Sequence, residues 1–240
     1  MPLETVTAVV AVAVGAATQR VTGLGFALLS APFLVLVLGP REGVVLANAL
    51  GALTSALVLA RAWRLVEWRR VRRLLPGSLV AVPLGGLVVR ALPGPVLLLA
   101  VGALCTVAVT AAWLGPAWPW LGSRAGSALS GFLSGLFSVT AGTGGPPLTV
   151  YAISTGWATA AFSASVQPVL VTNGIFAIAV KGTPTKLVLL ACCTVAVLIG
   201  VASGSFLGRR LSPALALRIV LTLALLGSVS AMLRGVLALA

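Results

Sequence analysis

Apolar runs dominate the chain and are broken at regular intervals by glycine, proline and arginine. They cover roughly residues 3–19, 24–38, 43–62, 74–91 and 95–114, then 125–139, 146–155, 159–180, 187–207 and 212–233. Within each run the apolar residues are continuous rather than alternating, which argues against the strands of a membrane barrel. A helix crossing a bilayer needs about 20 such residues, and it satisfies its own backbone polar groups where no water can. The joints read Gly39-Pro40-Arg41, Leu92-Pro93-Gly94-Pro95, Gly182-Thr183-Pro184 and Arg209 to Pro213, all turn-forming. The pattern predicts an all-α fold: a polytopic transmembrane helix bundle of about eight to ten membrane segments.

Composition strengthens this. Of 240 residues, 60% are hydrophobic and 8% charged, against about 25% charged in a soluble domain. So few charges do not cover a soluble surface of this size, and the spans leave only short connections. The chain opens without the basic region of a secretory signal, its first polar residue being Glu4, so residues 3–19 read as the first helix of the mature protein. Cys105, Cys192 and Cys193 lie in apolar runs without CxxC spacing and read as small packing residues. The carboxylates are Glu4, Glu42 and Glu67, with no Asp and no His. No metal site and no cofactor is expected from such a set.

The formal charge of +13 does not point to nucleic acid, because its distribution is that of a membrane protein. Arg61, Arg64, Arg69, Arg70, Arg72 and Arg73 cluster between two apolar runs, as in a cytoplasmic loop under the positive-inside rule. With loop 61–73 inside, Arg20, Arg124, Arg209 and Arg210 also fall inside and Arg218 sits near an inner helix end. Arg41, Arg90, Lys181, Lys186 and Arg234 fall outside, as do both termini. The expected location is the cell membrane. Trp63, Trp68, Trp113, Trp118, Trp120 and Trp157 lie near the inner ends, where interfacial anchors are placed.

The two sets of five runs read as a duplication, residues 1–116 and 117–240. An offset of 117 pairs Gly25 with Gly142, Gly39 with Gly156, Ala47 with Ala164, Leu53 with Leu170 and Arg64 with Lys181. After one inserted residue, Gly86 pairs with Gly204 and Pro95 with Pro213. An odd number of crossings per repeat inverts the second repeat relative to the first. The inference survives if the first two runs of each repeat re-enter rather than cross, since the number left is still odd.

Both repeats break at matching places. The first break is Thr18-Gln19-Arg20-Val21-Thr22-Gly23-Leu24-Gly25-Phe26, with Pro32 following. The second is Ser138-Val139-Thr140-Ala141-Gly142-Thr143-Gly144-Gly145-Pro146-Pro147. Glycine permits the turn and proline suits the first helical position. A helix beginning within the membrane directs free N–H groups and a positive dipole end into a cavity, which suits an anion. Paired interruptions of two repeats mark a transporter's binding site. The competing reading is close helix packing, to which Gly131-Phe132-Leu133-Ser134-Gly135 belongs as a GxxxG match. The expected broken or re-entrant helices therefore supply candidate anion ligands Thr22, Gly23, Gly25, Thr140, Gly142, Thr143, Gly144 and Gly145. Asn48, Ser165, Gln167 and Asn173, in the third helix of each repeat, either donate to the anion or bond helix to helix. Arg20 reads as an interfacial residue rather than a charge partner, since a bare arginine in lipid is costly.

At these motifs the chain resembles the sulfite exporter TauE/SafE family of membrane permeases over nearly its whole length. The residues carrying the resemblance are Thr22-Gly23-Leu24-Gly25 with Pro32, and Gly131-Phe132-Leu133-Ser134-Gly135-Leu136-Phe137 followed by Gly142-Thr143-Gly144-Gly145-Pro146-Pro147. The resemblance implies transport of small sulfur-containing anions, such as sulfite or organosulfonates. The expected partners are thus a small anionic substrate and membrane lipid, with no oligomeric state assigned. Alternating access between the repeats is the expected mechanism, with a passive anion channel or a structural membrane subunit as rivals. An intramembrane enzyme is disfavoured: without Asp or His neither an aspartyl pair nor a Ser–His dyad exists. Only a Ser–Lys arrangement through Lys181 or Lys186 is left. No acidic proton relay is visible either, so facilitated passage, or a proton carried on the anion, is expected.

Overall fold

The computed structural model describes residues 3–23, 25–114 and 118–207, with 222, 225, 226, 228–230, 232, 233 and 235–237 beyond them. Only the backbone is described at Leu3, Glu4, Thr22, Ala108, residues 111–113 and Leu207. The expected roles of Leu24, Arg209, Arg210, Pro213, Arg218 and Arg234, and of the Glu4 and Trp113 side chains, lie outside the described residues. Among those described, every regular element is helical: α1 (Leu3–Thr22), α2 (Gly25–Leu38), α3 (Pro40–Ala62), α4 (Trp68–Ala91), α5 (Gly94–Leu114), α6 (Arg124–Ala141), α7 (Gly145–Ser154), α8 (Thr159–Lys181) and α9 (Leu187–Leu207). Two 3-10 turns, Trp63–Leu65 and Pro119–Gly122, join them. The described residues from 222 to 237 are helical as well.

Length separates the helices into two kinds. The stretches Pro40–Leu65, Trp68–Ala91, Thr159–Lys181 and Leu187–Phe206 are long and apolar enough to span a bilayer. By contrast α2 has 14 residues and α7 has 10, about 21 and 15 Å of helix, short of the roughly 30 Å apolar core. Each short helix follows a glycine-rich break, so the chain has the broken helices that its glycines predict.

The arginine cluster departs from expectation. It is not a loop: Arg61 lies in α3, and Arg69, Arg70, Arg72 and Arg73 form the first turns of α4, leaving only a short link around Glu67. Arginine is a good helix former. The 24 residues of α4 make about 36 Å of helix, so its first turns extend past the apolar core, where long cationic side chains stay wet.

The arginines define one end of the bundle. Arg20 of α1 and Arg61 of α3 both donate to Ser205 near the end of α9, at 3.1 and 3.5 Å. Beside them the Glu67 N–H donates to Ser165 in the second turn of α8 (2.8 Å), and Arg70 donates to Thr155 just after α7 (3.2 Å). At the far end Arg90 donates to the Val180 carbonyl (2.7 Å) and Lys181 to that of Val139 (2.6 Å), while Glu42 accepts from the Thr185 N–H (3.1 Å). Thus α1, α3, α7 and α9 run toward the arginine end, and α2, α4, α6 and α8 run away from it.

Helix packing rests on small residues. The most extensive pairings are α4 with α6 and α1 with α9. A methyl group added at Gly131 would lie 1.9 Å from the Leu74 carbonyl oxygen, and one at Gly77 1.9 Å from that of Ala128. In the other pair, methyls at Gly200 and Gly204 would each lie 2.4 Å from a carbonyl oxygen of α1. Gly131 and Gly135 are therefore packing residues, and Gly200–Gly204 is a second small-xxx-small contact. Cys105 and Cys193 are buried in apolar clusters. Trp63, Trp68, Trp118 and Trp120 are exposed, but Trp157 is not an interfacial anchor. It is buried between Tyr151 and Phe162, with the Arg70 guanidinium 4.7 Å from its ring centre.

Candidate functional site

The second break is built from backbone geometry. Gly142 takes φ +74° and ends α6; its N–H donates to the Ser138 carbonyl (2.9 Å), and the next N–H, of Thr143, to that of Phe137 (3.2 Å). The bond from Gly142 to Ser138 is the 5→1 bond of an αL closure, and the positive φ is what requires glycine. The chain then passes Gly144, where an added methyl would lie 3.0 Å from the Ser134 carbonyl oxygen, into α7. The first break turns at Gly23, φ +85°. There α2 begins so close to α1 that a methyl on Gly25 would collide with Thr18 at 2.5 Å.

Both breaks open onto one small cavity. Gln19, Phe26 and Ala27 line it from the first and Ser138, Gly142 and Gly144 from the second. The third helices complete it: Ala47, Asn48, Gly51, Ala52 and Ser55 of α3, and Leu170 and Gly174 of α8. Its free volume is about 20 Å³, enough for one water molecule. No charged side chain lines it.

Amide side chains tie the breaks in place. Gln19 Nε2 donates to Ser55 Oγ (2.8 Å) and to Gln167 Oε1 (3.0 Å). Gln167 Nε2 donates in turn to the carbonyls of Gly23 (3.0 Å) and Ser163 (2.7 Å). Asn48 Nδ2 donates to the Ser138 carbonyl (3.0 Å) while the Ser138 hydroxyl donates to Asn48 Oδ1 (2.8 Å). Asn173 accepts from Ser78 and donates to Ser134 Oγ (3.1 Å), which donates to the Gly144 carbonyl (2.6 Å). All four amides are buried, where leaving a polar group unmatched costs about 1–3 kcal/mol.

The sequence candidates divide accordingly. Asn48, Gly142 and Gly144 line the cavity; Gly23, Gly25 and Gly145 form its turns; Gln167 stands one hydrogen bond behind it, through Gln19, and Asn173 two, through Ser134 and Gly144. Three candidates do not face it. Thr140 Oγ1 donates to Leu136 of its own helix (2.6 Å), Thr143 Oγ1 meets Cys105 Sγ of α5 (3.7 Å), and Ser165 accepts from the backbone at the start of α4. Each hydroxyl has a nearer partner than the cavity. Thr22 ends α1, its side chain lying outside the described residues. Arg20 is held at the arginine end by Ser205, in keeping with an interfacial role. The helix-terminus expectation is also reduced: Pro146 and Pro147 have no N–H, so Gly144 and Gly145 carry the amide donors there.

Gln19, Ser55, Ser138 and Gly174 were not among the candidates. Periodicity marks some of them: 48, 51, 52 and 55 fall on one helical face, as do 167, 170 and 174. Each is a stripe of small or polar residues in an otherwise apolar helix.

The fold and cavity define a polytopic helical membrane protein whose interrupted helices meet around a neutral, hydrogen-bonding chamber. The chain belongs to the Sulfite exporter TauE/SafE family, whose model matches residues 7–232; it is a membrane protein of a transporter family. Neither the curated proteins nor the solved structures yield a match.

Proposed function

We propose that the chain carries small sulfur-containing oxyanions, such as sulfite or an organosulfonate, by alternating access between two inverted repeats, residues 1–116 and 117–240. The observation that carries this reading is the convergence of both glycine breaks and both third helices on one chamber. Family membership supplies the substrate class. Helix direction supports the inversion: α1, α2, α3 and α4 each run opposite to their counterparts α6, α7, α8 and α9. The reciprocal pairing of α1 with α9 and of α6 with α4 supports it too.

A chamber with room for one water is smaller than sulfite. The described conformation therefore corresponds to a closed state, and loading requires α3 and α8 to part from the breaks. In the opened chamber the oxyanion is met by the amides of Gly144 and Gly145, Ser55 and Ser138 hydroxyls, and the amide groups of Gln19 and Asn48. Neutral donors suit a cargo that must leave again, since a fixed cation would hold it. The arginine end faces the cytoplasm in this proposal, and α1 begins outside.

Purified protein in liposomes provides the test. Sulfite flux that saturates, and counterflow of labelled sulfite driven by unlabelled sulfite, are expected of a carrier. Flux linear in concentration without counterflow would establish the passive channel instead.

A further inference from the structure

The arginine end holds a second cavity, of about 630 Å³, which shares no lining residue with the central chamber. Arg69, Arg70 and Arg73 of α4 line it together with Glu67, which precedes the helix, facing Tyr151 and Thr155, with Pro119 and Gly122 of the 3-10 turn between. Arg70 is committed: it pairs with Glu67 (3.0 Å), donates to Thr155 (3.2 Å) and stacks on Trp157. Arg69 and Arg73 differ. Neither belongs to an ion pair among the described residues. They are one turn apart on one helix face, where like charges repel. They also sit at the start of α4, whose dipole end is itself positive. Repulsion, dipole and cavity all call for an anion.

The surroundings say which kind. Trp68, Trp118 and Trp120 are exposed around this end, the arrangement of side chains at headgroup depth. The same 3-10 turn also borders an apolar groove of about 210 Å³, lined by Trp118, Leu121, Leu129, Leu133 and Phe137. A free oxyanion needs no such groove, whereas a lipid places its phosphate in one compartment and a chain in the other. Basic pockets between membrane helices hold anionic headgroups in this way. We infer that Arg69 and Arg73 bind the phosphate of an anionic phospholipid whose acyl chain lies in the groove beyond the Pro119–Gly122 turn. The site is independent of what the central chamber carries.

The experiment compares the melting temperature of the full chain in neutral detergent with phosphatidylglycerol, phosphatidylcholine or inorganic phosphate at constant ionic strength. Phosphatidylglycerol is expected to raise it by several degrees more than the other two. The R69Q/R73Q variant loses that difference, and R72Q, changing an exposed arginine outside the cavity, keeps it. Native mass spectrometry counts bound phosphatidylglycerol independently, and L133W, which fills the groove with both arginines intact, lowers the count. Arg69 is exposed, so R69Q alone serves should the double variant not fold. An undiminished lipid effect in R69Q/R73Q, or an equal loss in R72Q, overturns the assignment. Stabilisation by inorganic phosphate equal to that by the lipid overturns it in favour of a free-anion site.

Discussion

Asn48 places both ends of its amide on α6, one on the Ser138 carbonyl and one on the Ser138 hydroxyl. A single side chain of α3 thereby fixes the turn that leads into the second break. N48L keeps the bulk and removes both bonds, leaving the buried Ser138 hydroxyl unmatched at a cost of about 1–3 kcal/mol, while the Ser138 carbonyl keeps the Gly142 N–H. The expected result is a lower melting temperature together with a loss of sulfite flux of roughly tenfold or more. Ser165 makes the opposite case. The sequence offset of 117 pairs it with Asn48, yet its hydroxyl accepts from Glu67 at the arginine end. S165A is expected to lower stability while leaving the KM for sulfite flux unchanged; a raised KM would return Ser165 to the chamber. Equivalent sequence positions thus differ in role because the two third helices meet different partners.

Glycines divide in the same way when whole helices are considered, and only part of that division is legible in the sequence. The sequence marks Gly131 and Gly135 by spacing and Gly142 to Gly145 by density, but spacing does not say what faces each glycine. Gly131 meets the backbone of α4, so G131A drives a methyl into a carbonyl at 1.9 Å. Overpacking of that kind costs about 1–3 kcal/mol and is expected to lower the melting temperature with or without substrate. Gly51 was not a candidate, yet it lines the chamber, and a methyl there makes ordinary contact with Phe26 at 3.5 Å. Alanine favours a helix by up to about 1 kcal/mol over glycine. G51A is therefore expected to hold or raise stability while cutting flux, because its methyl takes much of a chamber the size of one water. Stability and flux falling together in G51A would make Gly51 a packing residue like Gly131. The helices themselves were readable because continuous apolar runs have one solution in lipid. The paths of Thr140, Thr143 and Ser165 were not, since a hydroxyl's partner depends on the helix that packs against it.

For the molecule as a whole, charge among the described residues lies toward the two ends and is absent from the chamber lining. Glu42 lies at the far end, where it accepts from Thr185, and Glu67 pairs with Arg70 at the other. With neither carboxylate near the chamber, E42Q is expected to leave flux and its pH dependence unchanged; a lost dependence would establish Glu42 as a proton relay. The same separation of charge predicts an orientation with the arginine end inside, because cytoplasmic faces carry the excess of arginine and lysine. The arginine end gathers the starts of α4, α6 and α8, while Thr183 lies in the exposed link between α8 and α9 at the far end. Cysteines introduced at Thr183 and at exposed Ala125, in a background lacking the three native cysteines, report the two faces. A membrane-impermeant maleimide on intact cells is expected to label T183C directly and A125C only after permeabilisation. The reverse pattern would invert the protein in the membrane and place the proposed phospholipid site in the outer leaflet. It would leave the helix directions untouched, since those follow from contacts within the chain.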